Sequence, residues 1–177
     1  MGFPKALLRG ADGVPLAARQ ARLLRAGGCE PVVVVVGAEA ARVRAALPED
    51  VTVVENARWA EGRATSLQAG LRAVMGAGAG GFLVLPVDAV GVRVETVRRV
   101  LAAAAGGGAE VWRPVCGGVK GNVLWVGAAV AGEVLELGAG ERVDVWARGV
   151  ERAVEVGDEG VLRNVNTPEE WAEVEGG

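Results

Sequence analysis

The sequence predicts one α/β domain over residues 1–177, with a Rossmann-like, mostly parallel sheet between two layers of helices. Two observations carry this prediction. The β-branched run Pro31–Val36, stopped by Gly37, is typical of a strand buried on both faces. Helix-like and strand-like segments then alternate through the first half of the chain, as in βαβ units. The hydrophobic content of 51% over 177 residues is enough for one substantial core.

The first half of the chain is regular. Apolar residues recur at helical spacing on both sides of the first strand, and glycines or prolines end the segments. The predicted elements are helix Leu16–Arg25, strand Pro31–Val36, helix Ala38–Leu47, strand Val51–Val54, helix Ser66–Val74, strand Phe82–Val87 and helix Val92–Ala105.

The second half is less regular after the glycines at 106–108. A glycine-containing turn between two strand-like segments predicts a hairpin. Thr167, Pro168 and Glu170 predict a capping box that opens a last helix at Pro168. The other predicted elements are strands Glu110–Pro114 and Asn122–Val126, helices Ala128–Leu137 and Arg142–Arg148, and strands Glu151–Val156 and Val161–Val165.

Composition excludes several classes of function. The formal charge of -3 gives no overall electrostatic reason to bind nucleic acid or an anionic membrane. The sequence has no apolar run of roughly 20 residues and no secretory signal pattern, so we expect a cytoplasmic protein without membrane spans. Since the chain has no histidine, a histidine-dependent triad is excluded. The sequence leaves the oligomeric state open.

The segment Asn56–Leu71 carries the most specific pattern. It is similar to Asn-x-x-Trp-x-x-Gly-x-x-x-Ser-Leu-x-x-Gly-Leu of the molybdenum-cofactor nucleotidyltransferase family. The resemblance implies that Asn56, Gly62 and Ser66 shape a nucleotide pocket, Gly62 by allowing close backbone approach and Ser66 by its position at a helix start. On local grounds alone, Ser66 could equally cap its helix.

The first residues resemble the end of the family's glycine-rich signature loop. Gly2 and Lys5 fall at its glycine and lysine. The resemblance implies that both contact the nucleotide, with Lys5 neutralising triphosphate charge as pyrophosphate leaves. Without the resemblance, a lysine so near the N-terminus would be read as a solvated surface charge.

A carboxylate follows the strand-like segment that ends at Val87. Asp88 falls where the family has its magnesium-binding aspartate, and open α/β sheets bind ligands beyond the carboxyl ends of their strands. Asn166 lies in a stretch that resembles the family's Asn/Asp-Thr-Pro motif. The resemblance implies that Asp88 and Asn166 hold Mg²⁺, whereas local pattern alone also allows Asp88 a capping or turn role.

A second glycine-rich turn resembles the family's Gly-x-x-Gly-His-Pro-Val, with Asn122 in the histidine position. The resemblance implies that Gly118, Lys120, Gly121 and Asn122 border the acceptor pocket, with Lys120 as a cation for the acceptor phosphate. An ordinary glycine hairpin is the alternative.

Together these resemblances imply a fold of the nucleotide-diphospho-sugar transferase type. They imply a Mg²⁺-dependent enzyme that transfers CMP from CTP to the phosphate of molybdopterin and releases pyrophosphate. The family's first strand has no counterpart here, so we expect the two neighbouring strands to lack a partner between them, with a late chain start or a rearranged variant as the explanations. Two alternatives stay open: a catalytically impaired nucleotide-binding relative, and a transferase that uses GTP or a sugar phosphate.

Overall fold

The computed structural model describes residues 4–108 and 110–176, which form a three-layer α/β fold. Within these residues, the helices are α1 (Leu16–Gly27), α2 (Ala40–Arg44), α3 (Arg63–Met75), α4 (Val94–Ala105), α5 (Ala131–Glu136), α6 (Val143–Ala147) and α7 (Pro168–Gly176). Short 3₁₀ helices occur at Lys5–Leu7, Trp59–Glu61, Ala128–Val130 and Glu159–Leu162. Among the described residues, every helix is too short or too polar to cross a bilayer.

The described strands form two sheets. They are β1 (Val33–Val36), β2 (Thr52–Glu55), β3 (Gly81–Val84), β4 (Val111–Cys116), β5 (Val119–Lys120), β6 (Leu124–Gly127) and β7 (Glu151–Glu155). β1 and β2 pair in parallel as a two-stranded sheet. The second sheet has the order β3-β6-β4-β5, and β7 also pairs with β4, so the predicted α/β class is confirmed.

The second sheet is mixed because a hairpin reverses the chain inside it. β4 and β7 are parallel, whereas β6 runs antiparallel to both β3 and β4. Gly117 and Gly118 form the two-residue turn between β4 and β5, with φ of 57° and 77°. Two consecutive positive φ values suit a hairpin turn that follows the twist of the strands. The predicted hairpin is therefore present.

Helices pack on both faces of the sheets. On one face, α3, α5 and α6 cover a core that includes Leu71, Val111, Val126 and Val134. On the other face, α1 packs against α4, where Val97 and Val100 are fully buried. These two layers hold the loops at the carboxyl ends of β1 and β3 in fixed positions.

Several predicted elements differ in the structure; the predicted helix Ala38–Leu47, for example, is shortened to α2 (Ala40–Arg44). The predicted strand Val161–Val165 is instead the end of a 3₁₀ helix followed by a single β-bridge between Ala89 and Asn164. β3 ends at Val84 rather than Val87, since Pro86 lacks the N–H that a ladder needs and accepts a turn hydrogen bond from Ala89 instead. α3 begins at Arg63, three residues before Ser66.

β1 and β3 belong to different sheets, and both line one cavity of about 680 Å³. Within the described residues, each of the two strands pairs along one edge only. The cavity also explains why Val33, Val34 and Val35 are only half-buried, although the valine run predicted a strand buried on both faces.

We expect Gly27→Ala to destabilise the fold by about 2 kcal/mol, because the added methyl group overlaps the side chain of buried Val97, whose Cβ would lie 2.6 Å away. Gly132→Ala in α5 is the matched control. Nothing lies within 4 Å of its added Cβ, so a gain of about 0.5 kcal/mol is expected from helix propensity. Urea denaturation measures both, and equal effects would contradict the packing described here.

Candidate nucleotide and metal site

Lys5, Asp88 and Asn166 meet in space although they are far apart in sequence. The Lys5 ammonium donates hydrogen bonds to Asp88 Oδ2 at 2.9 Å and to Asn166 Oδ1 at 3.0 Å. The side chains of Lys5 and Asp88 are 19% and 14% exposed. Two oxygens thus converge on one partly buried position that holds a cationic group.

A short backbone pairing positions Asp88 and Asn166. The loop after β3 lies antiparallel to the segment before α7, through hydrogen bonds from Val165 N to Asp88 O at 2.9 Å and from Val90 N to Arg163 O at 3.1 Å. Val90 and Val165 are buried in one apolar cluster. Asp88 therefore lies four residues beyond β3, in a loop that is held by this pairing.

Gln20 of α1 braces the same loop. Its side-chain amide donates to the carbonyl oxygens of Val87 and Ala89, on either side of Asp88. Sequence reasoning missed this role. A signal was present, since Gln20 is a polar residue within the apolar stripe that predicted α1.

The capping interactions at the start of α7 fix Asn166. Thr167 Oγ1 accepts a hydrogen bond from Glu170 N at 3.1 Å, as the capping box predicts. The Glu170 carboxylate accepts from Asn166 N at 2.6 Å, one residue earlier than in the usual box. Glu170 thereby ties the helix cap to the backbone of a candidate metal ligand, a contact that sequence reasoning missed.

The two converging oxygens fit a hard divalent cation. Mg²⁺ is commonly bound by one or two carboxylates, with phosphate oxygens and waters completing its coordination. Across residues 4–108 and 110–176, no group of three or more acidic, cysteine or histidine side chains is arranged to hold a metal ion. Asp88 and Asn166 supply two oxygens, so a metal ion held by them would take its remaining ligands from phosphate or water.

Asn56 organises the loop before α3. Its side-chain nitrogen donates to Thr65 Oγ1 at 2.9 Å and to Ser66 Oγ at 3.0 Å, and its oxygen accepts from Arg58 N at 3.0 Å. Asn56 is buried, at 6% exposure. These contacts give it a positioning role, whereas Ser66 is half-buried and lines the same cavity as Asp88.

Gly62 stands at the N-terminus of α3 with φ of 144°. A Cβ at this position would overlap the carbonyl oxygen of Ala139. Packing alone therefore explains why a glycine is needed at position 62, because the loop around Ala139 approaches the Gly62 backbone closely. Gly2, the other glycine assigned to nucleotide binding, lies outside the described residues.

Lys120 of the predicted acceptor turn reaches a buried ion pair between β4 and β7. Lys120 Nζ lies 2.6 Å from Glu151 Oε1, and Arg113 Nε lies 2.5 Å from Glu151 Oε2. Burial, the largest influence, raises the pKa of Glu151, but the hydrogen bonds from Lys120 and Arg113 outweigh it and hold the pKa below its ordinary value of 4.5. The Glu151 carboxylate, which sequence reasoning missed, anchors Lys120. The Lys120 side chain nevertheless stays 55% exposed.

The same turn is linked to the segment before α7, which carries Asn166. Asn122 Nδ2 donates to Asn164 Oδ1 at 3.0 Å, and Asn122 N donates to Val161 O at 2.8 Å. Gly121 packs so closely that an added Cβ would lie 2.7 Å from Val161 Cβ. Gly118 lies at the exposed tip of the turn. The structure thus brings the candidate acceptor turn beside the segment that carries Asn166.

Polar groups gathered in loops beyond the carboxyl ends of strands are typical of α/β proteins that bind phosphorylated ligands. Residues 1–156 match the family model of the MobA-like NTP transferase domain. Because the match covers most of the chain, the protein belongs to this family of nucleotidyltransferases. A comparison with curated proteins gave no match.

Solved structures share the fold. A nucleotidyl transferase from Methanothermobacter thermautotroptrophicus, Mth528, is 26% identical with a TM-score of 0.80, over 97% of this chain and 83% of that one. Rv0371C from Mycobacterium tuberculosis H37Rv, in complex with manganese, is 23% identical with a TM-score of 0.72, over 99% and 94%. CMP:2-keto-3-deoxy-manno-octonic acid synthetase with CTP is 15% identical with a TM-score of 0.73, over 97% and 90%.

We expect Glu151→Gln to cost about 3 kcal/mol at pH 7, because it leaves Arg113 buried without an anionic partner. Because the pKa of Glu151 is lower in the folded protein, the ionised carboxylate stabilises the fold at pH values above 4.5, its ordinary pKa. This contribution is lost as the pH falls through the folded-state pKa. The stabilities of wild type and variant should therefore converge as the pH falls through that folded-state pKa.

Urea denaturation at pH 7 and pH 3 measures this convergence. Glu159→Gln is the control, since Glu159 is 76% exposed in its ion pair with Arg163 and should change little at either pH. A Glu151→Gln deficit that is the same at both pH values would show that the carboxylate charge is not the cause.

Proposed function

We propose that this protein transfers a nucleoside monophosphate from an NTP to a phosphorylated acceptor, and that the reaction is CMP transfer from CTP to the phosphate of molybdopterin. The observation that carries the proposal is the convergence of Lys5, Asp88 and Asn166 at one cation position. Family membership supports the reaction class. The pattern Asn56–Leu71 favours the cytidylyl over the guanylyl branch.

The triphosphate would lie in the cavity that contains both Asp88 and the start of α3. Arg63 and Ser66 line this cavity together with Asp88. The first N–H groups of a helix have no intrahelical acceptor, and the helix dipole favours negative charge there. Lys5, beside Asp88, adds a full positive charge. Asn56 supports this end of the cavity indirectly, by holding Thr65 and Ser66 in place.

Asp88 and Asn166 would hold a divalent cation, and we propose Mg²⁺ in this role. Bound between protein and triphosphate, such an ion draws negative charge away from the phosphates. The manganese complex of the related Rv0371C supports a divalent metal in this fold. Neither side chain has to cross the molecule to reach the ion, because both already face the Lys5 ammonium.

The acceptor would bind at the turn that contains Gly118, Lys120, Gly121 and Asn122. Lys120 is half-exposed, so its ammonium can meet a phosphate while Glu151 restrains its position. The hydrogen bond from Asn122 to Asn164 fixes this turn two residues from Asn166. An acceptor phosphate held there would approach the triphosphate from the side of the metal.

In the proposed step, an oxygen of the acceptor phosphate attacks the α-phosphorus of the NTP. A new P–O bond forms, the bond from the α-phosphorus to the bridging oxygen breaks, and pyrophosphate leaves with that electron pair. The attacking oxygen is already ionised, so the protein has to position and neutralise rather than remove a proton. This suits a chain that has no histidine.

In the presence of Mg²⁺, we expect CTP to release pyrophosphate only when molybdopterin is present. A coupled pyrophosphate assay with CTP or GTP, and with molybdopterin or a sugar phosphate, distinguishes the substrates. Pyrophosphate release with GTP but not with CTP would show that GTP is the nucleotide substrate. Release with the sugar phosphate but not with molybdopterin would show that the acceptor is a sugar phosphate. Nucleotide binding without release under any combination would favour the catalytically impaired relative.

We expect Asp88→Asn to lower turnover at least about 100-fold while thermal stability changes little, because the side chain keeps its shape and its hydrogen bond to Lys5 but loses the charge that binds metal. Asp144→Asn is the control. Asp144 forms ion pairs with Arg142 and Arg148 on an exposed surface and should leave turnover unchanged. Retained turnover in Asp88→Asn, with a large loss of stability, would make Asp88 a structural residue.

A further inference from the structure

The Lys5 ammonium lies where the candidate metal ligands converge. It donates to Asp88 Oδ2 at 2.9 Å and to Asn166 Oδ1 at 3.0 Å, so it already neutralises the carboxylate that a metal would use. We propose that Lys5 is an internal counter-ion that competes with the divalent cation, and that the cation displaces it onto the triphosphate. This inference rests on the proposed function and adds an exchange of cations to it.

The two cations exclude each other at this position. A small divalent ion binds oxygen at about 2.0–2.1 Å, so an ion bound to both Asp88 and Asn166 would occupy the position between their oxygens where the ammonium now lies. Lys5 and Asp88 are both largely shielded from water, at 19% and 14% exposure. Repulsion between an ammonium and a divalent ion is strong where water screens it weakly. Binding of the metal therefore requires the ammonium to move.

The surroundings allow that movement without a change in the fold. The backbone on the C-terminal side of Lys5 is anchored, since Leu7 packs in a cluster with Val87, and Leu8 packs with Val90 and Val165. The lysine side chain itself is a flexible four-carbon stem that ends in a rotatable donor. The ammonium can leave the two oxygens while the 3₁₀ turn Lys5–Leu7 stays in place.

The exchange couples metal binding to nucleotide binding. Without nucleotide, a divalent ion must displace Lys5 with no compensation for the lysine charge. With nucleotide, the displaced ammonium gains the triphosphate as a new partner. Each ligand therefore favours the other, and Lys5 opposes the metal when it binds alone but supports the metal–nucleotide complex.

The test measures Mn²⁺ binding through the decrease of the free Mn²⁺ signal in electron paramagnetic resonance. The full chain and its Lys5→Met variant are titrated with Mn²⁺ alone and then with Mn²⁺ plus the α,β-methylene analogue of CTP, which cannot release pyrophosphate. We expect Lys5→Met to bind Mn²⁺ alone at least about fivefold more tightly, and the Mn²⁺–analogue complex at least about fivefold more weakly. Lys5→Arg should keep the weak binding of Mn²⁺ alone.

Arg42→Met is the control for a general change in charge, since Arg42 is 59% exposed on α2 in an ion pair with Glu39. Equal tightening in Arg42→Met and Lys5→Met, or no tightening in Lys5→Met, overturns the exchange even if the wild type binds the Mn²⁺–analogue complex. Circular dichroism confirms that each variant is folded. If the wild type binds neither Mn²⁺ nor the analogue, both the exchange and the proposed function fail.

Discussion

The candidate site depends on one short backbone pairing, in which the loop after β3 lies against the segment before α7. The hydrogen bond from Val165 N to Asp88 O joins one candidate metal ligand, Asp88, to the residue that precedes the other, Asn166. Since Val90 and Val165 are buried beside it, the pairing is held by apolar packing as well as by hydrogen bonds. A carboxylate from the middle of the chain and an amide from its end can thus share one cation.

Side chains extend this pairing into a connected polar network. Gln20 braces the loop from α1, and Glu170 holds the Asn166 backbone at the start of α7. On the other side, the hydrogen bond from Asn122 to Asn164 joins the pairing to the glycine turn, whose Lys120 is anchored by Glu151. The turn that contains Lys120 and the segment that carries Asn166 are therefore neighbours. Because each contact restrains a different element, the network also limits how far the loops can separate.

The cavity between β1 and β3 has a largely apolar lining that reaches Asp88. Its lining runs from the half-buried valines of β1 across α3 to Asp88. The backbone edges of β1 and β3 that face the cavity carry polar groups, while the helices above and below supply apolar side chains. A ligand in this cavity would therefore contact the backbone N–H and C=O groups of the two strand edges at its sides and Asp88 at one end.

The sequence by itself determined the α/β class, most helices and strands, the hairpin and the helix cap at Thr167, because each depends on residues close together in the chain. The resemblance of its motifs also selected Lys5, Asp88 and Asn166. The resemblance also implied that Asp88 and Asn166 lie together. Only the tertiary structure decided that the Lys5 ammonium lies between them, and that Asn56 and Gly62 serve the packing of their loop. It also replaced the strand predicted at Val161–Val165 by a 3₁₀ turn and a single bridge. The physical reason is that local propensity acts over a few residues, whereas the contacts of Gln20, Glu151 and Lys5 span 31 to 161 positions and form only when distant elements pack.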